Sequence, residues 1–192
     1  MTKTTNSKNT SELILDTAQA FVQQYGFNGF SYSHIAEKVG IRNASIHYYF
    51  PNKEDLGEAL IARYLRNFNH FVAGIDAEIT NHIEKLRKFI LLYSGPVQAY
   101  CACLSVMLST DLATLSGKVQ VGLSQFFTAN LEWLARVLED GRREGQLHFE
   151  GAADVQAHQF LAALQGAQLL ARSFHDISKY EKIAAGLLSA LV

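Results

Sequence analysis

Residues 31–56 read SYSHIAEKVGIRNASIHYYFPNKEDL, and this stretch predicts two short helices joined by a tight turn. Ser31 is a residue type that commonly caps a helix start, because its hydroxyl can accept a hydrogen bond from a free backbone N–H. Apolar residues then recur at helical spacing at Ile35, Ala36 and Val39. Gly40 follows them, where a left-handed helix end is expected. A second helix is predicted over residues 43–49.

The second predicted helix carries many hydrogen-bonding side chains and few aliphatic ones. Ile46 is its inward anchor, and the helix ends at Phe50 because the following proline disfavours helical geometry in the residue before it. The polar side chains in and beside this helix are those of Arg42, Asn43, Ser45, His47, Tyr48 and Tyr49. A protein core does not accommodate so many polar groups without partners. The pattern therefore favours a surface that binds something outside the protein.

Two short helices joined at a glycine form a helix-turn-helix, whose second helix can enter the major groove of DNA. Asn43, Ser45 and His47 are short donors and acceptors suited to base edges, and Arg42 can reach guanine or phosphate. The residues expected at phosphates are Ser31, Ser33, Tyr48, Tyr49 and Lys53. Spacing alone leaves an equally good alternative, which is an ordinary helical hairpin with a solvated polar face.

The composition indicates a folded protein. The chain has 192 residues, of which 48% are hydrophobic and 18% charged, enough for one domain with a substantial core. The formal net charge of −1 argues against a general nucleic-acid-coating protein, although residues 1–53 carry a small excess of basic side chains. The sequence has no apolar run long enough to cross a membrane, and its polar beginning does not resemble a signal peptide. We therefore expect a cytoplasmic protein without a membrane partner.

Helical spacing extends over the rest of the chain. Residues 1–10 are predicted to be a loose arm, followed by a helix that Ser11 caps and Gly26 ends. Further helices are predicted over 53–79, 82–94, 97–113, 118–144, 154–173 and 177–191. The predicted fold class is therefore all-α, with an N-terminal three-helix head over 1–52 and a six-helix body over 53–192.

The head contains a set of motifs that are specific when taken together. They are Tyr25-Gly26-Phe27, Ile35-Ala36, Val39-Gly40-Ile41, Ile46-His47-Tyr48-Tyr49-Phe50 and Asn52-Lys53-Glu54-Asp55-Leu56. With these motifs residues 11–57 resemble the DNA-binding head of the TetR family of bacterial repressors. The chain departs from the family pattern at His47, where a tyrosine is usual, and at Arg42-Asn43-Ala44, where Ser-Lys-Gly is commoner.

The resemblance implies a function for both parts of the chain. We expect a homodimeric transcriptional repressor that binds a double-stranded, palindromic DNA operator and releases it when a small-molecule effector binds the body. No catalytic residue, cofactor or metal is expected. Two rivals from other classes are a small helical enzyme with a cysteine nucleophile and a helical adaptor that binds protein.

Residues 58–192 resemble the family's ligand-binding and dimerisation body in layout. The residues predicted to line an effector pocket are Phe68, Phe71, His82, Phe89, Tyr93, Tyr100, Met107, Phe126, Phe127 and Trp133. Such an aromatic set is more often plain core than a ligand site. In a family whose members bind small effectors in this region, however, a pocket among these helices is the default hypothesis.

The two cysteines, Cys101 and Cys103, belong to the same predicted pocket. Their surroundings resemble a branch of the family that responds to reactive electrophiles, oxidants or acrylate-like molecules. A helix N-terminus favours the reactive thiolate form of a cysteine. The alternative is that both thiols are inert core residues. A metal site is not favoured, because two thiols one residue apart without a nearby histidine lack ligand spacing.

The last two predicted helices are rich in alanine and leucine, which allow close helix packing. The residues predicted to form a homodimer interface are Ala157, Phe160, Leu161, Leu164, Ala167, Leu187 and Leu191. The alternative is that they pack within one chain. The family resemblance favours an interface with two-fold symmetry, which would match a palindromic operator.

Overall fold

The computed structural model describes the backbone of residues 3–192 and the side chains of residues 10–192. The helices are α1 (Lys3–Tyr25), α2 (Tyr32–Val39), α3 (Asn43–Tyr49), α4 (Lys53–Glu78), α5 (His82–Ser94), α6 (Leu104–Thr110), α7 (Gly117–Arg143), α8 (Ala153–Phe174) and α9 (Ser178–Ser189). Short 3₁₀ helices join some of them, and no strand occurs within this range. The all-α prediction is confirmed.

Helix α1 begins earlier than the sequence predicted. It starts at Lys3, so residues 3–10 of the predicted arm are helical and the predicted cap at Ser11 is wrong. These residues include neither glycine nor proline, and the remaining residue types differ in helix propensity by less than about 1 kcal/mol each, so nothing in this segment stops the helix. Met1 and Thr2 lie outside the described residues.

The chain divides into two compact units that do not follow the sequence order. The first unit comprises residues 1–64 and 104–124, and the second comprises residues 65–103 and 125–192. The predicted boundary between residues 52 and 53 therefore lies inside the first unit. The sequence predicts that α6 and the beginning of α7 are part of the body, but both belong to the same unit as the helix-turn-helix.

The core of the first unit is built around α1. Ile14, Ala18 and Val22 lie along one face of this helix and are fully buried. Helix α6 packs against α1 in the same unit. The other helices of this unit contribute the buried residues Ile35, Ile46, Leu56, Leu60, Val119 and Leu123. The helix-turn-helix therefore rests on a core to which residues 104–124 contribute.

Two glycines allow α4 and the beginning of α7 to approach closely. A Cβ atom at Gly57 would lie 3.1 Å from both the Phe27 ring and the Val119 side chain. A Cβ atom at Gly122 would lie 2.7 Å from Ile61. Either substitution would force neighbouring side chains or a helix to shift.

The second unit has an aromatic core centred on Phe89. Its ring is stacked on Trp133 at a centroid distance of 5.4 Å and lies 5.0 Å from the Tyr93 ring. The rings of Phe68 and Phe160 lie 6.3 and 6.4 Å away. All five residues are buried, so this group supplies much of the apolar contact among α4, α5, α7 and α8.

Asp76 at the end of α4 joins three elements of the second unit. Its carboxylate accepts hydrogen bonds from Lys85 at 2.9 Å, Arg136 at 2.8 Å and the Trp133 indole at 3.2 Å. Burial alone would raise the pKa of Asp76, but these donors outweigh it and lower the pKa below its usual value. The carboxylate is therefore ionised in the folded protein at neutral pH.

The sequence predicted one helix over 97–113, and the structure contains a break there. A 3₁₀ helix over Pro96–Ala99 ends at Tyr100, which has a left-handed backbone with φ 52°, and α6 begins only at Leu104. The buried Gln168 side chain holds the break, since it accepts the Cys103 N–H at 3.0 Å and donates to the Tyr93 carbonyl at 2.6 Å. The break depends on this contact with α8, which local spacing does not reveal.

Within residues 3–192, no single helix is long and apolar enough to cross a membrane. Residues 82–99 and 104–110 reach the length and apolar composition needed to cross a membrane only when they are taken together. The chain bends by 67° between these two segments.

Candidate DNA-binding surface

The turn between α2 and α3 has the geometry that the sequence predicted. Gly40 adopts φ 76° and ψ 32°, a left-handed conformation that favours glycine. The N–H groups of Gly40 and Ile41 donate to the Ala36 carbonyl at 2.9 and 3.0 Å. Ile35 and Ile46 are fully buried beneath the two helices. The helix pair is therefore fixed at the turn and by its core contacts.

Tyr32 holds the C-terminal end of α3, a role that the sequence reasoning missed. Its hydroxyl donates to the Phe50 carbonyl at 2.9 Å and also contacts the Asn52 carbonyl. Its ring lies 4.8 Å from the His47 ring in an edge-to-face arrangement. Burial raises the pKa of Tyr32 well above its usual range, and the charge of Asp55 raises it further. The sequence signal for this role is a tyrosine in the first turn of a short helix. If such a tyrosine is buried, its hydroxyl needs a hydrogen-bond partner.

One side of α3 presents polar groups to solvent. Arg42, Asn43 and His47 are exposed, and Tyr48 is 79% exposed. Ser45 and Tyr49 are half-buried. This pattern fits the helix amphipathicity predicted from sequence, with Ile46 inward and hydrogen-bonding groups outward.

His47 is oriented by the backbone that follows α3. Its Nδ1 atom lies 3.0 Å from the Pro51 carbonyl oxygen. A carbonyl oxygen only accepts, so Nδ1 carries the proton in this contact. The Nε2 atom is then the hydrogen-bonding group that the exposed ring can offer to a ligand.

The beginning of α2 is suited to an anion. Ser31 is the residue preceding the helix, as predicted, and its N–H donates to the His34 Nδ1 atom at 3.2 Å. Ser31 and Ser33 are exposed, and the first turn contains no acidic residue. The free N–H groups and the positive end of the helix dipole therefore favour a phosphate here.

Lys53, which was predicted to contact a phosphate, is directed toward the protein itself. Its ammonium group donates to the Phe30 carbonyl and lies 4.2 Å from the centroid of the Phe30 ring and 5.0 Å from that of Phe27. Burial lowers the pKa of Lys53, and the charge of Asp111 partly offsets this by raising it. A phosphate contact would require the side chain to leave these partners.

The predicted effector residues divide into several groups. Five of them form one buried contact group, termed the aromatic cluster here: Phe68, Phe89, Tyr93, Phe126 and Trp133. Phe71 and Phe127 are half-buried, and Tyr100 is exposed. His82 instead donates from Nδ1 to the Gln146 Oε1 atom, just after the end of α7, and Met107 lies in the first unit. The structure therefore brings together part of the predicted set.

The polar group within the aromatic cluster is one that the sequence did not indicate. Asn130 is fully buried, and its Oδ1 atom accepts the Tyr93 hydroxyl at 2.7 Å. Its Nδ2 atom donates to the Phe126 carbonyl at 2.7 Å. A single asparagine on the apolar side of α7 was the available signal.

The two cysteines differ in exposure, and neither forms a disulfide bond. Cys101 is half-buried, with Sγ 3.4 Å from the Ala99 carbonyl oxygen. Cys103 is 1% exposed and immediately precedes α6. Of the two, Cys101 is more accessible to a reagent. In the part of the chain that the structure describes, no three His, Cys, Asp or Glu side chains are grouped to hold a metal.

The predicted dimer interface requires a correction. Six of its seven residues are buried inside the chain and are not available to a partner: Ala157, Phe160, Leu161, Leu164, Ala167 and Leu191. Leu187 is half-buried. These residues face the chain's own core because α8 packs against α5 and α9. The opposite side of α8 carries the exposed residues Val155, Leu169, Leu170 and Phe174.

Comparisons with known proteins agree with this architecture. Residues 14–60 match the family described as bacterial regulatory proteins, tetR family. A TetR-family transcriptional regulator from Agrobacterium tumefaciens is 31% identical, with 97% of this chain and 99% of that chain covered and a TM-score of 0.91. A TetR transcriptional regulator from Legionella pneumophila is 30% identical, covering 94% and 96% of the two chains with a TM-score of 0.85.

A similar relative with a known role is the transcriptional repressor NemR of Escherichia coli K12. It is 25% identical over 178 residues, which cover 88% of each chain. These matches extend the resemblance of the head to almost the whole length of the protein. The chain belongs to the TetR family of bacterial transcriptional regulators.

Proposed function

We propose that this protein is a homodimeric transcriptional repressor that binds a palindromic DNA operator and releases it when a small effector binds. The observation that carries the proposal is the exposed polar side of α3, held on a buried core by Ile46 and Tyr32. A rigid helix with exposed hydrogen-bonding groups is what major-groove reading requires. The membership of the TetR family supports the same conclusion.

In this proposal α3 reads bases and the beginning of α2 contacts the DNA backbone. Asn43, Ser45 and His47 face base edges, and Arg42 reaches guanine or phosphate. The phosphate contacts come from Ser31, Ser33, Tyr48 and Tyr49. Lys53 is left out of this set, because its ammonium group is engaged by Phe30 within the first unit. A regulator of this kind acts in the cytoplasm, where it has access to the chromosome.

We place the dimer interface on the outer side of α8. Residues that share this side at helical spacing are Val155, Ala162, Gly166, Leu169, Leu170 and Phe174. Gly166 has open space where a Cβ would be, which allows another backbone to approach. A second copy related by a two-fold axis would cover the exposed apolar residues of this side.

The effector site is proposed at the aromatic cluster of the second unit. Its rings pack against one another, so a ligand would have to separate them or enter at their edge. Tyr93 and Asn130 supply the polar groups that would orient a ligand. Cys101 is the candidate for a covalent effector, since it is more exposed than Cys103. No observation favours an enzyme with either cysteine as nucleophile.

A mobility-shift experiment tests the proposal. The full-length protein is titrated against duplex DNA from upstream of its own gene, with an unrelated duplex of the same length as control. We expect retention of the upstream fragment at lower protein concentration than the control. Equal binding to both fragments, or none to either, would contradict a specific repressor and favour the adaptor or enzyme alternatives.

A thermal screen then searches for the effector. Candidate small molecules are added to the protein and the melting temperature is measured, because binding to the folded state raises stability. A compound that raises the melting temperature should also release the operator. A stabilising compound without that effect is not the effector.

A further inference from the structure

The turn between α1 and α2 is held by side chains from a distant part of the sequence. The 3₁₀ helix Phe27–Gly29 follows Gly26, which has no side chain to satisfy the free N–H groups at this helix start. The Asp111 Oδ2 atom accepts the Phe27 N–H at 2.6 Å across 84 positions of sequence. The Thr114 Oγ1 atom accepts a hydrogen bond from the Asn28 side-chain amide, Nδ2, at 2.8 Å. Asp111 therefore takes the place of a local cap, and Thr114 adds a side-chain contact to the same turn.

The carboxylate of Asp111 fits closely against the turn. Gly26 adopts φ 82°, which favours glycine, and a Cβ atom there would lie 3.0 Å from Asp111 Oδ2. The Thr114 hydroxyl also donates to the Asp111 carbonyl at 2.8 Å, which ties Thr114 to Asp111. Asp111, Thr114 and the turn all belong to the first unit.

The capped turn leads directly into the helix-turn-helix. The Phe27 and Phe30 rings pack edge to face at 6.1 Å, and both lie beneath the Lys53 ammonium at the beginning of α4. Phe30 is followed by Ser31, the residue that precedes α2. The position of this turn therefore sets the direction of α2 relative to α1. Because α3 packs on α2, it sets the orientation of α3 as well.

We propose that Asp111 is a positioning residue of the DNA-binding unit. Its carboxylate holds the α1–α2 turn, so α2 and α3 are oriented for operator binding only while residues 104–124 keep their place. This inference rests on the proposed function, because operator binding is the activity that Asp111 would support. The residue itself contacts the Phe27 backbone and not DNA.

The test compares Asp111→Ala with Asp111→Asn. The operator fragment is obtained by selecting a randomised duplex on the wild-type protein, and its affinity for each dimer is measured by fluorescence anisotropy. Asp111→Ala removes the acceptor and should weaken operator binding about tenfold, the cost expected for one hydrogen bond to a charged group. Asp111→Asn keeps an oxygen acceptor, so its affinity for the operator should lie within about threefold of the wild-type affinity.

The sign of the effect separates positioning from simple electrostatics. Removing a negative charge from a DNA-binding protein should by itself strengthen binding to DNA. Glu132→Ala removes an exposed carboxylate from the second unit and is the matched control. We expect this control to bind as tightly as the wild type or slightly more tightly, in contrast to Asp111→Ala.

Hydrogen exchange supplies a readout that does not depend on DNA. The Phe27 amide should exchange faster in Asp111→Ala than in the wild type, while the Gly26 amide, bonded to the Val22 carbonyl, should remain protected. If Asp111→Ala does not fold, Thr114→Val with Thr114→Ser as control tests the support of Asp111 instead, because the Thr114 hydroxyl donates to the Asp111 carbonyl and accepts from the Asn28 side chain. Thr114→Val should then weaken operator binding and Thr114→Ser should not, and equal binding by both would overturn the positioning role.

The outcomes distinguish this inference from the proposed function. If the wild type selects no duplex, the proposed function fails. If the wild type binds its operator and Asp111→Ala binds equally well although the Phe27 amide has lost protection, the positioning role is overturned. An Asp111→Asn variant as weak as Asp111→Ala would also overturn it, because the acceptor would then not be what matters.

Discussion

Helices α3 and α8 both carry surfaces predicted from sequence, and the two predictions had different outcomes. Helix α3 exposes the polar residues that were expected to face outward and buries Ile46. Helix α8 buries the residues that were expected to meet a second subunit. The difference lies in composition. A helix with a single large aliphatic residue, such as Ile46 in α3, has one possible inward side, whereas a helix rich in alanine and leucine on several sides has more than one.

The two sides of α8 can be compared by placing glutamate at one leucine on each side. Leu164 is 0% exposed and Leu170 is 44% exposed. Leu164→Glu should destabilise the fold by roughly 4 kcal/mol or more, because it leaves a carboxylate unpaired in the core. Leu170→Glu should leave the chain folded but separate the proposed dimer. Circular dichroism melts report folding, and light scattering reports the mass.

A folded, monomeric Leu164→Glu variant would restore the interface predicted from sequence. A Leu170→Glu variant that remains dimeric would exclude the outer side of α8 as the interface. The Leu164→Glu result would also mean that burial within one chain does not determine which side of α8 forms the dimer interface.

The side chains of α3 can be sorted by comparing operator with random DNA. Alanine at Asn43 or His47 should cost about 1–3 kcal/mol of binding free energy on the operator and little on a random duplex. The reason is that base-edge contacts carry sequence information and phosphate contacts do not. Equal losses of binding free energy on both duplexes would indicate that the residue contacts the DNA backbone instead of base edges. Glu37, exposed on α2, provides a control substitution to alanine outside the reading helix.

Tyr32 tests how far the orientation of α3 depends on the hydrogen bonds at its end. Tyr32→Phe keeps the ring against His47 and removes the donor to the Phe50 carbonyl. We expect a loss of about 1 kcal/mol in the free energy of unfolding, measured by urea denaturation. Tyr25→Phe, at an exposed tyrosine in the same unit, should change stability by less. Equal effects from both variants would indicate that the Tyr32 hydroxyl is not a significant anchor.

Salt dependence distinguishes the exposed Arg42 from the engaged Lys53. If Arg42 neutralises a phosphate, Arg42→Ala should reduce the slope of log affinity against log salt concentration by about 0.9. Lys53→Met should leave the slope unchanged, since its ammonium group is held by Phe30. A reduced slope in Lys53→Met would mean that the side chain leaves these contacts when DNA binds.

Asp76 gives the smallest expected effect, and it depends on pH. Because the folded protein lowers the pKa of Asp76, the carboxylate contributes stability above the ordinary aspartate pKa of about 3.9. That contribution is lost as the pH falls through the lower, folded-state pKa. Urea denaturation at several pH values should therefore show Asp76→Asn less stable than the wild type near neutrality, with the difference shrinking in acid. A difference that grows in acid would contradict the sign of the shift.

The sequence by itself determined the features that depend on neighbouring residues. The all-α class, the turn at Gly40, the end of α3 before Pro51 and the family resemblance of residues 11–57 could all be predicted. Helix caps, a left-handed glycine and a proline act within a few residues, so their signals are present in a short stretch of sequence.

The tertiary structure decided which distant residues meet. It placed residues 104–124 in the first unit, brought Asp111 to the Phe27 N–H, and turned the Lys53 ammonium toward Phe30. It also determined which apolar side of α8 is buried, as Leu164 shows. These outcomes could not be predicted from spacing, because they depend on packing among segments that are far apart in sequence and that compete for the same core.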